Sequence, residues 1–210
     1  MKENKTYLVF EFLLIFSGIP LIFYFEFVKL PKIPFLVFLT TFCFVALLKD
    51  NNFDRTKLWN FDSALAFISR ILIRFAIIAV ILSIYTYFFF PDLFLLFPKT
   101  RPLIWVIVII FYPFLSALPQ ELIYRVFLFH RYRYLFQNDN VMIIVSAVAF
   151  SFLHIMYDNF LAIILSLLGG LLFTLTYHKS KSLFLAGLEH ALYGGLIFTV
   201  GLGRFFYEGY

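Results

Sequence analysis

The sequence predicts an all-α polytopic membrane protein, a helical bundle of about seven transmembrane helices (six to eight as bounds). Two observations carry that prediction. Apolar residues make up 63% of the 210 and charged residues 14%, with a mean hydropathy of +0.94. Soluble domains stand nearer one half apolar and one quarter charged. Apolar runs long enough to cross a hydrocarbon core, roughly 20 residues in a helix, also recur along the whole chain. No strand alternation and no repeat of roughly 20–50 residues competes with them. Residues 1–210 therefore have room for one transmembrane domain and no separate soluble one.

Tyr7–Val28 is the first span, and it is too long and too charged (Glu11, Glu26) for a cleavable signal. Ile33–Leu48 is a shorter second span, carrying Cys43 as a buried apolar residue; as the only cysteine it forms no intrachain disulfide. Lys49–Phe61 is the longest polar stretch and reads as an exposed loop. Ser63–Arg74, with Arg70 and Arg74 on one face, begins as an interfacial helix and continues as the third span to about Phe90. Pro91–Arg101 is an interfacial loop. Pro102–His130 is the fourth span, bent by Pro113 and Pro119. Val141–Met156, Phe160–Tyr177 and Leu183–Gly203 complete the set. Gly169–Gly170 and Gly194–Gly195 are small-residue patches that let helices approach.

The net charge of +5 marks topology rather than nucleic-acid binding, because Lys and Arg sit in the short loops. With seven spans, the side holding the N-terminus has Lys2, Lys5, Lys49, Arg55, Lys57, Arg70, Arg74, Arg131, Arg133, Lys179 and Lys181. The other side has Lys29, Lys32, Lys99, Arg101 and Arg204. The positive-inside rule then puts the N-terminus in the cytoplasm. No phosphate loop, haem or flavin signature or nucleic-acid module is present.

The chemistry concentrates in Gln120-Glu121-Leu122-Ile123-Tyr124-Arg125, a carboxylate and a guanidinium four residues apart in an apolar span. Ionisable groups at membrane depth are costly and mark function or a fixed partner. Glu121 and Arg125 share a helical face and can pair. His154 and His190 lie one on each of two further spans. At about 1.5 Å per residue, Glu121 is roughly 12 Å, His190 roughly 10 Å and His154 roughly 20 Å from the cytoplasmic ends of their helices. All three can meet in one pocket open to the cytosol. Glu189 offers a second carboxylate to orient an imidazole, and Tyr193 shares a face with His190. One Glu and two His are the ligand set of many catalytic zinc sites, so zinc or another divalent metal on Glu121, His154 and His190 is one expectation. A water held between a carboxylate base and an imidazole, with the second imidazole donating to an oxyanion, is the other. His130-Arg131-Tyr132-Arg133 reads as an interfacial anchor or a site for an anionic substrate terminus, and His178 as a solvated loop residue.

These motifs (QELIYR, then FSFLH, then EHALYG) resemble those of the type II CAAX prenyl protease and bacteriocin-processing family of intramembrane proteases. The likeness covers roughly Pro113–Gly203, with a family-like core of about 102–206. It implies a multi-span peptidase acting on a membrane-associated peptide or protein. Glu121, Arg125, His154 and His190 would be its catalytic residues, held in the lipid bilayer, most simply a bacterial inner membrane. The family's hexapeptide is Glu-Glu-x-x-x-Arg, and its second His is followed four residues on by Asn. Gln120 and Gly194 depart at those two positions. Asn159 and Tyr193 are candidate replacement donors. The competing expectations are an inactive family member serving as a binding or scaffold protein and a small proton-coupled transporter.

Overall fold

The computed structural model describes residues 4–62 and 64–207; Lys2 and Ser63, both used above, lie outside the described residues. It is 83% helical, and no strand occurs among the described residues. Seven helices are long and apolar enough to cross a bilayer: α1 Lys5–Tyr24, α2 Lys32–Lys49, α3 Ala64–Phe89, α4 Pro102–Arg131, α5 Asp139–Tyr157, α6 Phe160–Ser180 and α7 Leu183–Val200. The protein is an integral multi-pass membrane bundle.

The spans agree with the hydropathy runs to within a few residues, and the differences have local causes. α1 stops at Tyr24 rather than Val28, because Glu26 takes a left-handed conformation (φ 52°). α5 begins two residues early because Asn138 caps it, accepting from the amides of Asn140 and Val141. α6 runs on through His178 to Ser180. His178 is therefore not a loop residue; it lies in the last helical turn, 3.7 Å from Asp139 and beside the Phe129 ring. α7 ends at Val200, where Gly201 adopts φ +104° and lies so close to the Leu93 carbonyl that no Cβ fits.

α4 and α7 form the middle of the bundle. α7 packs against α3, α4 and α6, and α4 also meets α2 and α5. Half of the apolar window of α7 is buried but only 6% of that of α3, so α3 is an outer, lipid-facing helix. α5 and α6 are joined by only Asp158 and Asn159 and pack closely. A Cβ on Gly170 would lie 3.2 Å from the Ala147 carbonyl oxygen and 3.3 Å from the Ala147 Cα. Gly170→Val should therefore push α5 and α6 apart and lower the unfolding free energy by about 1–3 kcal/mol. Unfolding by SDS titration in mixed micelles measures it. Gly169→Ala, which meets only the Phe173 ring, should cost less.

α4 stays continuous past Pro113 and Pro119 by widening its turns at Pro113–Ala117 and Leu122–Phe127. Wide turns free backbone carbonyls, which in a membrane must find partners on neighbouring helices. The Ser146 hydroxyl donates to the Tyr124 carbonyl at 2.7 Å, and Thr40 reaches the Pro119 carbonyl at 3.4 Å. Sequence proline placed the irregular backbone, and two hydroxyls from α2 and α5 make it tolerable.

One end of the bundle is closed by ion pairs. Arg131 and Tyr132 both bond Glu11, and His130 Nε2 lies 2.8 Å from Asp50 Oδ2 with Phe53 packed edge-on to its ring. The four-residue run His130–Arg133 is thus engaged within the protein: Arg133 also pairs with Asp139. The Asn52 amide and then His130 hold the Asp50 carboxyl below its ordinary value of 3.8. A depressed carboxyl stabilises the fold fully above its unfolded pKa and loses that contribution as pH falls through the folded value. Acidification from about pH 5 to about pH 3 should accelerate amide exchange over residues 50–58, and Asp50→Ala should abolish that pH dependence.

Candidate active site

Glu121 and Arg125 are both 0% exposed; Arg125 lies on the wide turn of α4 and Glu121 immediately before it. Arg125 Nε lies 3.0 Å from Glu121 Oε2, as the four-residue spacing predicts. The N–H does not point along that line, however, so Oε2 accepts no hydrogen bond although a charge sits beside it. The guanidinium is held elsewhere. It lies 4.7 Å above the Phe150 ring and 3.4 Å from the Ser146 hydroxyl, which in turn contacts Thr174. Arg125 thus places a positive charge beside Glu121 without donating a hydrogen bond to its second oxygen.

His190, from α7, reaches the other oxygen: Nδ1 lies 2.9 Å from Glu121 Oε1. Its Nε2 lies 2.9 Å from the hydroxyl of Tyr112 on α4. Phe173 stacks on the imidazole at 4.6 Å and 13°, and Phe150 meets it edge-on at 5.4 Å. A carboxylate beside Arg125 only accepts, so Nδ1 carries the proton and donates to Glu121. Nε2 is then an acceptor, and Tyr112 must donate to it. The ring is fixed in one tautomer by two partners and in orientation by two aromatic faces.

His154 is placed differently. It is the first residue of a tighter closing turn on α5, and its Nδ1 lies 2.8 Å from the Phe150 carbonyl. A carbonyl only accepts, so Nδ1 donates and Nε2 is left as an acceptor. The ring packs against Phe150 at 4.9 Å and Phe206 at 5.5 Å. His154 and His190 therefore flank the same phenyl ring, and no hydrogen bond joins them. The expected meeting is direct for Glu121 and His190 and mediated by Phe150 for His154.

Among the described residues, no three His, Cys, Asp or Glu side chains converge as metal ligands need to. The donors of Glu121, His154 and His190 fit a metal poorly for a further reason. Glu121 Oε1 is taken by His190 Nδ1, the Arg125 cation stands beside Oε2, and the Tyr112 hydroxyl occupies His190 Nε2.

Of the four supporting residues, Glu189 sits otherwise than expected. Glu189 turns away from His190: its oxygens meet Arg74 at 2.9 Å and the Thr176 hydroxyl. Successive helical residues point about 100° apart, so Glu189 and His190 cannot face one pocket. Tyr193 lies on the far side of Phe173, against Phe75, and its buried hydroxyl has no partner. Asn159 caps α6 by accepting from the amides of Leu161 and Ala162. Gln120 donates from Nε2 to Ser116 Oγ at 2.8 Å. Tyr112 was missed by sequence reasoning. The only signal was its register, eight residues before Gln120 and hence on the same face of α4, which is weak among 13 tyrosines.

Residues 101–196 match the model of the family described as Rce1-like, the type II CAAX prenyl endopeptidases. Over that stretch, a little under half of the chain, the sequence is similar to that family, and it departs from the family's motifs at Gln120 and Gly194. The family is one of proteases, and the matched stretch holds Tyr112, Glu121, Arg125, His154 and His190. No curated protein and no solved structure matches the chain.

Proposed function

We propose that the chain is an intramembrane endopeptidase that hydrolyses a peptide bond of a membrane-associated peptide or protein with Glu121-activated water. One observation carries the reading: a wholly buried carboxylate is locked at one oxygen by His190 and left free of hydrogen bonds at the other. A structural ion pair would be expected to align its donors with both oxygens. Oε2 instead is available as a base.

In the proposed reaction, water gives a proton to Glu121 Oε2 as its oxygen bonds to the scissile carbonyl carbon. The carbonyl π pair moves onto oxygen, forming an oxyanion. Collapse of the tetrahedral intermediate breaks the C–N bond, and the Glu121 proton passes to the leaving nitrogen. His154 Nε2, the acceptor left after Nδ1 is used, orients the second water hydrogen. Arg125 keeps a positive charge beside Glu121 between turnovers. Water does the nucleophilic work, so no covalent intermediate forms.

By the charge bias of the loops, the N-terminus faces the cytosol and the site opens to that side of a bacterial inner membrane. The bond to be cleaved then sits near the inner leaflet, which suits a substrate anchored by a lipid or an apolar helix. The test compares peptide N-termini in membranes from cells carrying wild-type protein or the Glu121→Gln variant at equal expression. New termini confined to wild type support the reading; identical terminal sets would point to the inactive-scaffold alternative.

A further inference from the structure

The ring of Tyr112 fills the space a side chain at position 194 would take. A Cβ on Gly194 would lie 2.2 Å from Cε1, 2.4 Å from Cζ and 2.4 Å from the hydroxyl oxygen of Tyr112. All three are far inside contact distance, and they are part of a ring rather than the end of a flexible chain. His190 and Gly194 are one turn apart on α7, so any side chain at 194 would border the imidazole. Here that border is supplied from α4, by a hydroxyl 2.9 Å from His190 Nε2. Phe198 packs edge-on to the Tyr112 ring at 5.5 Å and holds it there.

Gln120 bears on the same hydroxyl. Tyr112, Ser116 and Gln120 recur at four-residue steps on one face of α4. The Gln120 amide donates to Ser116 Oγ at 2.8 Å, and Ser116 in turn faces the Tyr112 hydroxyl. An amide N–H only donates, so the Ser116 hydrogen is free for the Tyr112 oxygen. The Tyr112 hydrogen then points at His190 Nε2, and the Nδ1 hydrogen at Glu121. Every donor in the row Gln120, Ser116, Tyr112, His190 is directed toward the carboxylate. A carboxylate at 120 would instead take the Ser116 hydrogen and deprive Tyr112 of it. The two departures from the family pattern therefore converge on one group.

We infer that Tyr112 is the hydrogen-bond donor to the scissile carbonyl oxygen, replacing a side chain at 194, and that Gln120, Tyr112 and Gly194 operate as one unit. The inference rests on the peptidase reading above. Between turnovers the hydroxyl holds His190; as charge develops on the carbonyl oxygen it turns to that oxygen, keeping its proton throughout. Its position beside the imidazole gives it the low-dielectric setting in which such donors have large effects.

The test uses full-length protein in one bilayer composition: wild type, Tyr112→Phe, Tyr112→Ala, Gly194→Asn and the Tyr112→Ala/Gly194→Asn double variant. Tyr112→Phe keeps the ring that packs on Phe198, so it should lower kcat about 10²–10³-fold with KM little changed. A loss confined to KM, or no loss, would overturn the donor role. Gly194→Asn alone should lose turnover and melt earlier, because its side chain collides with Tyr112. The double variant should recover part of both losses, and purely additive effects would overturn the claim of one unit. Histidine-labelled protein gives a readout independent of cleavage. In ¹⁵N NMR, His190 should show a protonated Nδ1 and a hydrogen-bonded Nε2, and Tyr112→Phe should shift only the Nε2 resonance. An unmoved Nε2 signal would overturn the proposal outright. Wild-type protein that cleaves nothing would remove the peptidase reading and the donor role with it. The melting cycle and the spectra would still decide whether the three residues form one unit.

Discussion

The Glu121→Gln/Arg125→Met double variant is expected to fold and to cleave nothing. Glutamine keeps the volume of Glu121 and an oxygen for His190 Nδ1 to donate to, so the 2.9 Å contact survives. Methionine keeps the apolar length of Arg125 over Phe150 without its charge. Replacing both members of a buried ion pair with neutral groups of similar size is often neutral for stability or better. An amide cannot take a proton from water, so hydrolysis should fall by at least about 10³-fold, in the range associated with loss of an essential base. Activity is read as product formation per folded molecule in proteoliposomes, with melting temperature measured on the same preparation. A double variant that still turns over within tenfold of wild type would remove Glu121 from the mechanism.

Arg125→Met alone should be the most destabilising single change in the site. It leaves the Glu121 carboxylate at 0% exposure with no counter-charge. It also strips the Ser146 hydroxyl of a contact and Phe150 of a cation. Breaking a buried pair from one side costs about 3–5 kcal/mol, far more than the pair itself contributes. The deficit should largely vanish when Glu121→Gln is added, and that rescue distinguishes an orphaned charge from lost packing. Unfolding free energies of the two single variants and the double, taken by SDS titration, form the complete cycle. A cost below about 1 kcal/mol for Arg125→Met would mean that the carboxyl is protonated in the folded protein.

The same residues explain how much could be read before the fold was known. Hydropathy located all seven helices because a bilayer demands near-continuous apolar runs, and that demand is local. Glu121–Arg125 was legible because a four-residue spacing on one helix fixes a shared face. His190 was legible as a member of the site, as its depth matched that of Glu121. The partner of Glu189 was not, since adjacent residues leave a helix in different directions and only the packing of α3 decided that Arg74 would receive it. His154 shows the limit of depth arguments: the estimate brought it to the right region, but a closing turn aimed its Nδ1 at the Phe150 carbonyl.

From the chain alone come the membrane class, the seven spans, the buried pair on α4 and the two histidines, all properties set by runs and spacings within single helices. Tertiary structure alone decided that His190 rather than His154 touches Glu121, and that Tyr112 stands where a side chain at Gly194 would be. Those outcomes depend on how α4, α5 and α7 approach and rotate about one another. No periodicity within a helix encodes that rotation.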